Sequence, residues 1–367
     1  MKCFCQTTVD RLCFEFQASN RIKEPKLRAL MDFIRNPPKK IPAEIQAYWD
    51  SIQLKDDDPR LLEERFQVGH MIGIYWSTVA RWMMMRAKRD AKALKTSLIL
   101  VQAADVSKPP MPVEAAKKLM NVANPKDSCN MHGMLALHIG MRIRLLDALD
   151  EKKTLVKDAE GDIVRIEPHP DDQELMNESI QMATDGLGAG TVYLTKFPKG
   201  IWVRMDKYEG APFTELLKSK CSTLLPADTK HLVFIEPRVS DPFVFREFTV
   251  TRTGLPISHA KAITSTACQG RTMRDGVIID CGRQEGGAHP KEDDDWWLDL
   301  YVMLSRATRL DDLLLIRAPD LSFFAKGPPI TLRTQLAKFA SRTDACRKQA
   351  EKIAKKKLGF DRFVRRE

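Results

Sequence analysis

The sequence has no Gly-Lys pair followed by Ser or Thr. The backbone cradle that wraps a nucleotide's phosphates, with its lysine on the β/γ oxygens, is therefore missing from it. No Asp-Glu pair follows an apolar strand to hold magnesium either. No stretch reaches the roughly 18 uninterrupted apolar residues of a membrane span, so no membrane partner is expected. The N-terminus, Met1-Lys2-Cys3-Phe4-Cys5-Gln6, lacks the apolar core and cleavage site of a secretory signal, and Asp10 and Glu15 argue against a transit peptide. The eight cysteines are scattered, with no CxxC and no His pair at zinc spacing. Cys3 and Cys5 stand one residue apart but have no second ligand pair, so no metal is expected. Reduced thiols point to an intracellular compartment, nuclear or mitochondrial if the source is eukaryotic.

What is present is a chain of 367 residues, 43% hydrophobic and 29% charged. That is enough for two or three domains and fits neither a disordered chain nor a membrane-embedded one. The net charge of +10 is unevenly spread. Residues 321–367 hold 13 Lys/Arg and 4 Asp/Glu, a net +9, which leaves 46 against 45 elsewhere. The body is thus nearly neutral, and the tail alone is a candidate phosphate-contacting element.

Periodicity predicts a helix from Asn20 to Arg35, ended by Pro37-Pro38. A strand over 71–76 and a helix capped by Ser77 or Thr78 and running to about Leu94 follow, with Met83-Met84-Met85 expected in the core. Ser97–Ala103 reads as a buried strand. From about residue 133 the period shifts toward two, and short strands are expected over 141–146, 154–157, 162–167, 191–194 and 201–205. Glu160-Gly161-Asp162 reads as one of the turns between them. Five short strands in this span suggest a small β-barrel. Strands over 232–235, 277–280 and 313–317, a helical patch near 259–268, an acidic loop at 292–295 and a helix over 297–308 complete an α/β pattern. The tail from Leu332 to Gly359 reads as a basic amphipathic helix.

Two segments carry chemistry. Leu255 to Thr272 contains Thr264 and ends in Gln269-Gly270-Arg271-Thr272. It offers a glycine where backbone can approach closely, flanked by an amide and hydroxyls. About thirty residues later Tyr301-Val302-Met303-Leu304-Ser305-Arg306-Ala307 sets a guanidinium beside a hydroxyl, and an arginine there can grip a phosphate bidentately. Taken singly, each has a plain alternative, an ordinary turn and a solvated helix face. Trp202 and Arg204 share one face of a strand, so a base-stacking ring beside a phosphate-binding cation is a second possibility there. Core packing is the alternative for Trp202, as it is for Trp76.

Together the two segments resemble the last two motifs of superfamily-one DNA helicases of the PIF-type (petite integration frequency) and RecD-like branch. There the pattern is Ala-x-Thr-x-His-Lys-x-Gln-Gly-x-Thr, then a strand, then Tyr-Val-Ala-x-Ser-Arg-Ala. Ala262, Thr264, Gln269, Gly270, Thr272, Tyr301, Val302, Ser305, Arg306 and Ala307 match in order and spacing. The family's His-Lys is here Thr266-Ala267, so a cation is lost. Weaker resemblance covers the β-rich segment around His138–Leu145 and Leu155–Val164, and Arg21 stands where the family has Arg-Gln before a helix.

The resemblance implies an α/β, RecA-like parallel-sheet domain over 1–125 and 230–320. It also implies a small SH3-like β-barrel inserted at 130–225, a helical N-terminal segment and a basic helical tail over 321–367. It implies that Arg306 faces the ATP γ-phosphate and is catalytic with Gln269 and Gly270, that Thr264, Gln269 and Gly270 link the nucleotide cleft to bound single strand, and that Arg21, Tyr301 and Ser305 stand beside the nucleotide. Thr264, Thr272, Trp202 and Arg204 would meet DNA. On this reading the chain is the C-terminal portion of an ATP-dependent DNA helicase. ATP and Mg2+ would bind only once an N-terminal RecA-like domain, in cis or trans, completes the site, and single-stranded DNA is the partner. The alternative is a catalytically inactive, helicase-derived DNA-binding module or mobile-element remnant.

Overall fold

The computed structural model describes residues 22, 24–184, 190–210, 230–283 and 292–358. The chain divides into two compact units, one of residues 1–61 with 269–367 and one of residues 62–268. The fold is α/β with parallel strand pairs, as expected. The division falls elsewhere than the expected one, because β pairing reaches past residue 230. Strands Leu232–Ile235 and Ile257–His259 are the two ends of the sheet expected to stop near 225.

In the unit of residues 1–61 and 269–367, helix Pro25–Arg35 buries Leu27, Leu30, Met31, Phe33 and Ile34 along one face. Its cap is Glu24, whose carboxylate accepts the Leu27 N–H at 2.7 Å, not Asn20, which lies outside the described residues. Helix Ala43–Ser51 follows, with Trp49 fully buried edge-on to Phe324 at 5.4 Å. The apolar runs Val277–Asp280 and Leu313–Ile316 pair in parallel, and Leu315 also bonds the backbone of Ile52 and Leu54. Helix Asp293–Leu304 starts earlier than the expected 297. Asp293, Asp294 and Asp295 form its first turn, where carboxylates oppose the positive end of the helix dipole. The acidic run is therefore a helix start and not a loop.

The tail departs from its expected boundary of 321. Leu321 and Phe324 are fully buried, so residues up to the turn at Gly327 belong to the folded unit. Helix Ile330–Leu358 then carries the basic residues, with Leu336 43% exposed.

In the unit 62–268, strand His70–Gly73 pairs in parallel with Ala262–Thr264. The helical patch expected over 259–268 is thus two short strands, Ile257–His259 and Ala262–Thr264, followed by a turn. Helix Trp76–Ala93 buries Val79, Ala87 and Ala91 and leaves Met84 and Met85 37% and 61% exposed, against the core placement expected for them. The β-rich segment is a five-stranded antiparallel sheet in the order 257–259, 142–145, 160–167, 200–205, 232–235. Its pairing runs as an open path whose ends do not pair among the described residues. Gly161 lies inside a strand and not in a turn, paired with Ile143 and Met205, and the strand carries glycine because a Cβ there would stand 2.6 Å from the Arg204 carbonyl. Residues 154–157, expected as a strand, contribute only the bridge of Leu155 to Asp150. Strands Ala104–Lys108 and Phe248–Gly254 pair antiparallel, tied by the fully buried Arg252 donating to Asp105 at 2.7 and 2.8 Å.

Candidate functional site

Helix Asp293–Leu304 ends at Ser305, whose N–H bonds the Tyr301 carbonyl and whose hydroxyl donates to the Val302 carbonyl at 2.8 Å. The next residue, Arg306, is 9% exposed. Its guanidinium donates to the Val302 carbonyl at 2.8 Å, to the Ser305 hydroxyl at 2.6 Å and to the Arg271 carbonyl at 3.3 Å. The Arg306 carbonyl in turn accepts the Met273 N–H at 2.9 Å. Two segments some thirty residues apart in sequence are thereby one structural feature, a turn at 269–273 fastened to a helix end by a cation. The acceptors named are neutral, so the charge of the fork is not cancelled by them.

On that turn Gln269, Gly270 and Thr272 are exposed, and Arg274 beside them is an exposed cation. Gly270 has φ of +79° with open space around a would-be Cβ, so its backbone conformation, not crowding, calls for glycine. Tyr301 is half-buried and stacks on Trp297 at 5.2 Å with rings nearly parallel. Arg35 donates to its hydroxyl and lies over its ring. Arg35 is a cation beside the expected site that nothing in the sequence singles out. Only the fold brings the end of helix Pro25–Arg35 to a residue 266 positions away.

Asp280 and Arg317 form another charged feature of this unit. Arg317 makes three bonds to the carboxylate, from Nε at 3.0 Å and from one terminal nitrogen at 2.6 and 2.7 Å, and the Gly282 N–H adds a fourth at 3.0 Å. Asp280 is a strand-end carboxylate locked in an ion pair, not a free ligand. The buried thiol beside it, Cys281, is pushed up in pKa, first by burial and then by Asp280. Among the described residues no three His, Cys, Asp or Glu side chains gather as a metal site. With no phosphate loop in the sequence, the residues present do not by themselves fit a nucleotide with magnesium.

Other expected site residues are placed differently. Arg21 lies outside the described residues. Thr264 belongs to the unit 62–268, is 6% exposed, and its hydroxyl accepts the Ala267 N–H at 3.3 Å, so it caps its own turn and offers no surface to DNA. Trp202 is 1% exposed, tilts against Phe234 at 4.6 Å and donates its indole N–H to Glu167 at 3.1 Å. No base can reach that ring, which corrects the stacking role. Arg204, two residues on, is exposed. Trp76 is half-buried at the start of its helix, edge-on to His132. No helix among the described residues is long and apolar enough to cross a membrane.

No protein-family model matches the chain, and no curated protein matches it. Solved structures do. The chain is similar to the Pif1 helicase from Candida albicans, at 12% identity over 85% of this chain and 57% of that one, with a TM-score of 0.47. It is similar to the Bacteroides Pif1 helicase solved with ADP-AlF3 and single-stranded DNA, at 16% identity over 88% of this chain and 55% of that one, TM-score 0.49. Bacteroides Pif1 bound to single-stranded DNA matches at 14% identity over 87% and 54%, TM-score 0.48. The chain thus spans about half the length of these structures.

Proposed function

We propose that this chain is the C-terminal portion of an ATP-dependent DNA helicase of the PIF type. In that reading it contributes an arginine and a strand-contacting turn to a site that an N-terminal RecA-like domain completes, in cis or in trans. The observation that carries the reading is the fastening of the Gln269–Met273 turn to Arg306. A guanidinium drawn toward a phosphate gives up its bond to the Arg271 carbonyl and loosens the turn that displays Gln269 and Thr272. Nucleotide state and strand contact would be coupled through that one bond. The completing domain would bring the phosphate loop and the magnesium carboxylate. This chain's part is to neutralise charge with Arg306 and to hold single-stranded DNA at the exposed amide, hydroxyl and Arg274.

A second reading has its own support. Arg306 donates to three acceptors within its own unit and the chain has no phosphate loop, as a DNA-binding module without hydrolysis would be built. Both readings predict that the purified chain alone hydrolyses no ATP, with or without single-stranded DNA. DNA-stimulated hydrolysis by the chain alone, lost in Arg306→Ala, contradicts both. Hydrolysis that appears only when a phosphate-loop domain is added selects the first.

A further inference from the structure

Helix Trp76–Ala93 buries Val79, Ala87 and Ala91 and turns a different stripe outward. That stripe is Arg81, Met84, Met85, Lys88 and Lys92, at i, i+3, i+4, i+7 and i+11, so all five lie on one face. Met84 and Met85 are exposed apolar side chains where a solvated face would carry polar ones. The three cations are exposed, and among the described residues none of them meets a carboxylate. Asp90, the acidic residue of this helix, lies on its opposite side and is bonded to Arg86 at 2.6 Å. Beside the stripe the unit opens a groove of about 360 Å³. Met83, Met84, Met120, Met134 and Met141 supply much of its wall. Among the described residues no Asp, Glu, Phe, Tyr or Trp lines it, and Arg81 stands on its edge.

Methionine is unbranched and polarizable, so such walls remould around apolar side chains of different shape. From Arg81 to Lys92 the cations border about 16 Å of helix, three turns. An occupant that uses the whole face is as long as that, apolar toward the groove and acidic along its flanks. We propose that this face docks an acidic amphipathic helix of a partner protein, with an apolar anchor in the groove and carboxylates against Arg81, Lys88 and Lys92. Nucleic acid matches only half of it: phosphates would meet the cations, but among the described residues no aromatic ring lines the groove to stack a base. The acidic helix that a second copy could offer is Gln173–Thr184, with Glu174 and Glu178 beside the exposed Leu175 and Met182. It lies across the sheet from Trp76–Ala93, because Leu98 and Leu100 cluster with Ala87 and Ala91, whereas Met176 belongs to the cluster of Ile99, Val101 and Val192. Two copies could then join only head to tail, through one such contact and not the two of a twofold dimer.

The test uses the full chain and a labelled synthetic helical peptide of about 18 residues, with Leu at i, i+4, i+7 and i+11 and Glu along both flanks. A twin peptide has Lys for every Glu. Fluorescence anisotropy should show saturable binding of the Glu peptide that weakens with added salt, and binding of the Lys twin weaker by about tenfold or more. Met84→Asp and the pair Lys88→Glu with Lys92→Glu change only side chains that face solvent, and each should weaken the Glu peptide about tenfold. The charge-reversed pair should bind the Lys twin better than the wild type does. Val244→Asp, exposed on a different sheet, should bind as the wild type. No saturation by the Glu peptide, equal binding of the Lys twin, or wild-type affinity in the folded Met84→Asp chain overturns the proposal. Oligothymidylate binding that Met84→Asp removes, with no peptide bound, gives the face to nucleic acid. Self-association in sedimentation that both Met84→Asp and Glu178→Lys remove, again with no peptide bound, gives it to a second copy. Either result overturns the partner helix.

Discussion

Arg306 is at once a structural tie and a candidate phosphate ligand, and the two roles make different demands. Its three bonds hold the turn in place, so Arg306→Ala should lower stability by about 2–3 kcal/mol in a urea titration. Gly270→Ala should cost about 1–2 kcal/mol from backbone strain alone, and Gly270→Asn less, because nothing crowds a side chain there. The buried histidines set a pH dependence. Burial, then Arg144 and Arg252, depress His132 in the folded chain to about 4, below the ordinary histidine value of 6.5, and His259 is lowered in the same direction, again chiefly by burial. The unfolded chain therefore binds the extra protons first. Stability should fall as pH drops from about 6.5 toward 4, with a slope nearing 1.4 kcal/mol per pH unit for each histidine. His132→Phe should flatten that fall in unfolding curves measured across the range. An unchanged slope would mean that His132 does not set it.

Elements made of uninterrupted apolar residues are legible in the sequence alone. Leu232–Ile235 and Val277–Asp280 are strands at the expected bounds, because runs of three or four consecutive apolar residues have few other uses. Patterns whose meaning depends on what lies opposite are not. Alternation puts Trp202 and Arg204 on one face, yet Leu232, Val164 and Phe234 cover that face at Trp202 alone. The patch near 259–268 looks helical in spacing, but Met71 to Gly73 stand ready as a parallel partner for Ala262–Thr264 and make that part a strand. Met84 and Met85 show the reverse, apolar residues left outside. At the candidate site Gln269, Gly270, Tyr301 and Arg306 are legible as a pattern. Arg35 is not, since its approach to Tyr301 is purely tertiary. The helix Ile330–Leu358 offers the prediction at this scale. Deleting 330–367 should leave the body folded, since Leu321 and Phe324 stay. It should also lower the salt slope of single-strand binding by about 0.7 for each phosphate that the helix neutralises. A slope that does not move would leave the turn at 269–274 as the strand-binding surface.

The whole molecule has an arginine and a displayed turn in one unit and no phosphate loop in its sequence. Its body is nearly neutral and its tail basic, so the proposed function puts backbone-charge contacts on the tail and the turn's contacts on the body. The central claim is that Arg306 serves a nucleotide bound chiefly by another domain. The measurement that tests it most directly is ATP turnover of this chain joined to a phosphate-loop RecA-like domain, wild type against Arg306→Ala, with saturating single-stranded DNA. The expected result is a fall in turnover of about 10³ or more even at saturating strand, beyond whatever strand affinity the loosened turn at 269–273 gives up. A fall of less than tenfold, in a variant that still binds DNA and is folded, contradicts the claim.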